Sequence, residues 1–215
     1  MPSLLFVADI KFKSREARDE AVLLLYKVTG NAWANEPGTT RYLVCLPIDT
    51  RDQTSIYMVE GYSSTQAQET HRKAAPTAAL FKAFGAGLLA SAPVTSTLPP
   101  AASFQRPGWT TLPTSAVIIL TTFGYQRGKT SFALDGWRAL ASHAAGKEPG
   151  ALAVDVTEDV NESKIHSVQV FDSATSADAH VNGQAIQANR QHNGSVRTGE
   201  RSIVRLSVLY GFLGK

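Results

Sequence analysis

The sequence repeats itself, and that limits its fold more than any other feature. GluProGly at 36–38 returns at 148–150, 112 residues on. IYMVEGYSSTQAQETH (56–71) aligns with IHSVQVFDSATSADAH (165–180), 109 residues on, so that Ile56 falls on Ile165, Val59 on Val168, Tyr62 on Phe171, Ser64 on Ser173 and His71 on His180. The three-residue difference fits in a loop. A chain of 215 residues built this way holds two homologous units of about 100 residues each.

The order of elements is the same in both units. Leu4–Lys13 alternates and is rich in β-branched and aromatic residues, which predicts a strand. Ser14 then caps a helix with Ala17, Ala21, Leu24, Leu25 and Val28 on one stripe, ending at Gly30. Thr40–Pro47 and Ser55–Tyr62 form a hairpin around a polar turn. A helix from Thr65 to Phe84 kinks near Pro76, and Pro93–Leu98 is a last strand. The second unit reads strand 116–125, helix 131–145, hairpin 151–158 and 164–171, helix 176–193 and strand 203–210. This is β-α-β-β-α-β twice: an α+β fold of tandem ferredoxin-like units at 1–98 and 116–215. Residues 99–115, with prolines at 99, 100, 107 and 113, read as an extended linker. A four-stranded sheet with helices on one face leaves the other bare, so packing the two sheets together predicts an internal pseudo-dimeric α/β barrel.

Composition excludes several classes. One cysteine, Cys45, excludes an internal disulfide framework and a Cys-rich zinc site. Twenty-one basic residues are scattered among 18 acids, which predicts no nucleic-acid surface. The N-terminal apolar run stops at Asp9 and no stretch approaches the length of a membrane helix. The expectation is a cytoplasmic protein with no membrane partner. RGKT at 127–130 lacks the first glycine of a phosphate loop, since Phe123 stands there.

Three stretches carry a resemblance. EPGTTRYLV (36–44) follows the first helix. YMVEGYSSTQAQETH (57–71) places an acid two residues before an aromatic, then Ser and a helical His, as Glu60, Tyr62, Ser64 and His71. Pro76 is followed by Leu80 and Phe81, one residue longer than the corresponding ending. In these respects both units resemble the antibiotic biosynthesis monooxygenase family of the dimeric α/β-barrel superfamily, in a tandem form similar to fungal secondary-metabolism proteins. The resemblance implies a cofactor-independent enzyme without metal, flavin or nicotinamide, which oxygenates an aromatic or enolisable polyketide-type substrate. A base removes a proton, donors hold the anion, and the electron-rich anion meets molecular oxygen. A non-oxidative cyclase, dehydratase or isomerase using the same base stays open, as does a non-catalytic small-molecule-binding or stress-related barrel, and so does association into a further homodimer.

His71 is the candidate base. Tyr62 is a candidate donor or wall, and Glu60, on the same strand face, a base or an orienting group for His71. Asn31 and Trp33, expected on the loop after the first helix, could hold an enolate oxygen and stack on a planar ring. In the second unit His180 and Phe171 take the places of His71 and Tyr62, but Gln169 replaces Glu60 and the phenol is lost. This divergence predicts one active pocket, in the first unit.

Overall fold

The two copies of the repeat build two units. In the computed structural model, which describes residues 2–215, the first unit comprises the chain up to Thr97 with residues 110–112 and 207–215. The second comprises residues 98–109 and 113–206.

In the first unit β1 (Leu4–Lys11) leads to α1 (Arg15–Asn35). The hairpin strands β2 (Thr39–Pro47) and β3 (Ser55–Tyr62) follow, then α2 (Thr65–Lys73), α3 (Ala75–Ala83) and β4 (Val94–Leu98). Its strands lie in the order β4-β1-β3-β2, with β1 and β2 both antiparallel to β3. The second unit contains β5 (Pro100–Gln105), β6 (Val117–Tyr125), α4 (Thr130–Lys147), β7 (Ala151–Asp159), β8 (Lys164–Phe171), α5 (Ala174–Asn182), α6 (Gln184–Asn193) and most of β9 (Arg197–Phe212). Its order is β9-β6-β8-β7-β5. Each unit is therefore an α+β ferredoxin-like repeat, as the element order predicts.

The helices start where their caps dictate. Ser14, Ser64 and Ser173 accept from the amides of Ala17, Ala67 and Ser176 at 3.1–3.2 Å. α1 buries Ala21, Leu25, Val28 and Ala32 against Tyr42 and Val44 of β2 and Ile56 and Met58 of β3. In the second unit Trp137 fills the same layer, its indole N–H donating to Tyr125 Oη at 2.8 Å. Cys45 is fully buried, and burial pushes its thiol pKa up, so it behaves as a small core hydrophobe.

Four boundaries differ from the sequence reading. The first helix runs through Gly30 to Asn35, because its last turn finds external partners for its carbonyls; Asn31 and Trp33 are therefore helical, not in a loop. The helix expected over 176–193 breaks at Gly183, in parallel with the break at Ala74 before Pro76. Residues 100–105 of the expected linker form β5, paired antiparallel with β7. Proline stands only at the first residue of that strand, where no ladder donor is needed.

Strand β9 exceeds the expected 203–210 because it serves twice. Its first part is the fourth strand of the second unit, while residues from Ser207 onward belong to the first unit beside β2. Gly211 makes that approach to β2 possible. It sits at φ +137°, and a Cβ there would lie 2.1 Å from the Tyr42 carbonyl oxygen.

Candidate active site

On β3 the side chains Ile56, Met58, Glu60 and Tyr62 share one face by alternation. The first two join the core beneath α1, so Glu60 continues an aliphatic row and is itself buried. The Tyr62 phenol donates a hydrogen bond to Glu60 Oε2. Burial raises the Glu60 pKa, outweighing the nearby His71 charge and the bond from Tyr62. Burial and the neighbouring acid also push the Tyr62 phenol far up, so it stays a proton donor.

His71 is the one buried residue of α2, seven residues after its Ser64 cap. Its ring lies between Tyr42 and Tyr62, with centroids at 5.3 and 5.7 Å. Nδ1 is 2.7 Å from Glu36 Oε2. That oxygen also accepts from Thr39 Oγ1 at 2.8 Å, and Glu36 Oε1 accepts from Asn31 Nδ2 at 2.7 Å. Burial opposes ionisation of Glu36, yet these bonds and the imidazole charge prevail and hold its carboxyl below the usual range. A carboxylate only accepts, so Nδ1 carries the proton and Nε2 keeps the lone pair. For His71, burial lowers the pKa, but the bond to Glu36 and the charges of Glu60 and Glu36 prevail and raise it. The arrangement is a histidine oriented by a carboxylate, with Nε2 able to accept a proton.

The GluProGly motif explains how Glu36 gets there. A Cβ on Gly38 would lie 2.5 Å from Ala67 Cβ, so only glycine lets the loop press onto the first turn of the helix that bears His71. In the second unit a Cβ on Gly150 would meet Ser176 Oγ at 2.1 Å, and Glu148 Oε2 holds His180 Nδ1 at 2.6 Å. Glu36 and Glu148 escaped the sequence reading as site residues, although the repeated motif that carries them was the signal. Thr39 and Tyr42 were also missed, and no spacing pointed to them.

The first unit thus brings together His71, Tyr62 and Glu60 of the expected set, and Asn31 reaches them through Glu36. Glu36, rather than Glu60, orients His71, because Glu60 is engaged by Tyr62. Trp33 is half exposed at the end of α1, and its ring meets Phe212 at 5.2 Å. In the second unit the Phe171 ring lies 5.0 Å from His180. There Gln169 Nε2 donates to Ser167 Oγ at 2.7 Å, and Gln169 Oε1 and His180 Nε2 are buried without a protein partner. Among the described residues no three His, Cys, Asp or Glu side chains group as metal ligands, and no helix is long and apolar enough to cross a membrane.

Comparison with protein-family models finds no match, and no curated protein matches. Solved structures do. A protein of Lactobacillus acidophilus described as a "putative monooxygenase" superposes with a TM-score of 0.82 at 13% identity, over 99% of this chain and 97% of the other. A Fusobacterium nucleatum protein described in the same words gives 0.84 at 15% identity, over 99% and 94%. An "anthrone oxidase-like protein" gives 0.65 at 15% identity, over 100% and 97%. At these identities the likeness is one of fold: the chain shares the α+β architecture of these proteins over nearly its whole length.

Proposed function

We propose that the first unit is a cofactor-independent oxygenase site for an aromatic or enolisable, polyketide-type substrate. The observation that carries the reading is the Glu36–His71 pair at 2.7 Å, which leaves Nε2 of a buried, oriented imidazole to serve as base beside the Tyr62–Glu60 pair. His71 takes a proton from a phenol, enol or activated C–H of the substrate, and Glu36 balances the charge that the imidazole gains. The resulting anion is electron-rich enough to reduce molecular oxygen. For a methylene flanked by aryl rings, the carbon loses both hydrogens, one oxygen atom becomes the new carbonyl and the other leaves as water. The substrate supplies all four electrons. Burial of the pair keeps water from reprotonating the anion. The fold shared with an anthrone oxidase-like protein supports this choice of substrate class.

An oxygen electrode tests the proposal with purified, metal-free protein and an anthrone. The expected result is oxygen uptake matched to quinone formed, above the spontaneous rate, and abolished by His71→Ala. Turnover without oxygen uptake would assign proton-transfer chemistry, such as cyclisation or isomerisation, to the same base. No turnover of any enolisable aromatic would favour a binding protein.

A further inference from the structure

The carbonyls at the end of α1 need partners, because the last four have none within the helix and its C-terminus carries partial negative charge. The last turn of α1 contains no basic residue. Lys215 supplies the missing cation: its ammonium donates to the carbonyl oxygens of Ala32 at 2.5 Å, Trp33 at 3.2 Å and Glu36 at 2.7 Å. The ammonium itself rests over the Phe212 ring at 5.2 Å.

The second unit performs the same task with a different residue from a different part of the chain. Arg106, just after β5, donates through Nη2 to the carbonyl oxygens of Ala145 at 3.2 Å and Glu148 at 2.9 Å, and through Nε to that of Ala151 at 2.9 Å. In both units the residue gripped by its carbonyl is the glutamate whose carboxylate holds the histidine. In both units that glutamate is also the helix C-cap, so one contact closes the helix end and holds the residue that holds the histidine.

We infer that Lys215 is a positioning residue that fixes the main chain at Glu36, and through it the tautomer and orientation of His71, and that Arg106 does the same for Glu148 and His180. For activity this rests on the reading of His71 as the base. The Glu36 carbonyl takes Lys215 on one side and the Thr39 amide at 3.0 Å on the other, so the peptide cannot rotate without losing a bond. The carboxylate is thereby aimed at Nδ1. Without Lys215 the last turn of α1 frays, the carboxylate moves, and the imidazole samples the tautomer with the proton on Nε2, which is useless as a base.

The test uses the full chain with Lys215→Met, which keeps the aliphatic stem, and Lys215→Arg, which restores the donors. Ring-nitrogen NMR of His71, above its pKa, is expected to show one tautomer in the parent protein, a mixture in Lys215→Met and one tautomer again in Lys215→Arg. Arg106→Met is expected to disturb His180 and leave His71 alone. Turnover of an anthrone should fall about 10-fold in kcat in Lys215→Met with KM little changed. If Lys215→Met does not fold, Lys215→Gln, which keeps one donor group, is read in the same way. An unchanged His71 tautomer in a folded variant without the charge overturns the inference, whatever the activity. A mixed tautomer in a protein that oxidises nothing supports it and removes only the reading of His71 as the base.

Discussion

Replacing Glu36 by Gln keeps the shape of the site and removes its charge. In the parent protein both Glu36 oxygens only accept: Oε2 from His71 Nδ1 and Thr39 Oγ1, and Oε1 from Asn31. A Gln amide presents N–H to one of these donors and cannot satisfy all three. A hydrogen bond to a charged group contributes about 1.5–3 kcal/mol. Losing that bond and the Glu36 charge removes two of the causes that raise the His71 pKa, so the pKa should fall. Neutral imidazole is the active form, so the acid limb of the kcat/KM profile lies above the ordinary histidine value in the parent protein and moves to lower pH in Glu36→Gln. The rate on its plateau drops about 100-fold or more, because the tautomer is no longer fixed. Stability follows the opposite course with pH. His71's folded pKa is raised, so its contribution is complete below about pH 6.5 and lost as pH rises through the folded value. Glu36's is lowered, so its contribution is present above about pH 4.5 and lost as pH falls through the folded value. Urea unfolding should therefore show the largest deficit, about 2–3 kcal/mol, between those limits. An acid limb that stays in place or moves upward would refute the assignment of Glu36 as the orienting group.

Three further outcomes follow from the same geometry. Tyr62→Phe strips Glu60 of its phenol donor while keeping the ring, and should cost about 1–3 kcal/mol in urea unfolding, more at high pH where the buried acid must ionise. Gly211→Ala puts a methyl against the Tyr42 carbonyl at a backbone angle that glycine tolerates best, and should cost about 3 kcal/mol or more, read as a lower urea midpoint. His71→Ala should abolish oxygen uptake while His180→Ala reduces it no more than a few-fold; equal losses would sink the idea of a single active pocket.

Much of the fold could be read because period and punctuation are local. Alternation marks β1, β3, β6 and β8, serines mark the helix starts, and the repeat confirms each element against its copy. What escaped was held by distant partners. Nothing in GNAWANEPG says that the helix continues past Gly30, because Lys215, remote in sequence, holds its end. Nothing in AASFQ marks a strand rather than a linker, because its partner β7 lies some 50 residues away. The site divides in the same way. Glu60 and Tyr62 follow from alternation along one strand, whereas the Glu36–His71 contact joins a helix end to another helix and needs the fold to be seen.

The two units can now be compared as two answers to one problem. Both retain the glutamate, the glycine that lets it approach, the histidine, and a cation on the glutamate's carbonyl. These parts tie a helix end to the following helix and hold the histidine ring in both units. The acid and phenol on the third strand are different: Glu60 is an ionisable group that is costly to bury, and the second unit fills the same row with the neutral Gln169 and with Phe171. In the first unit the charge of Glu60 raises the proton affinity of His71, which suits the proton abstraction proposed for that site.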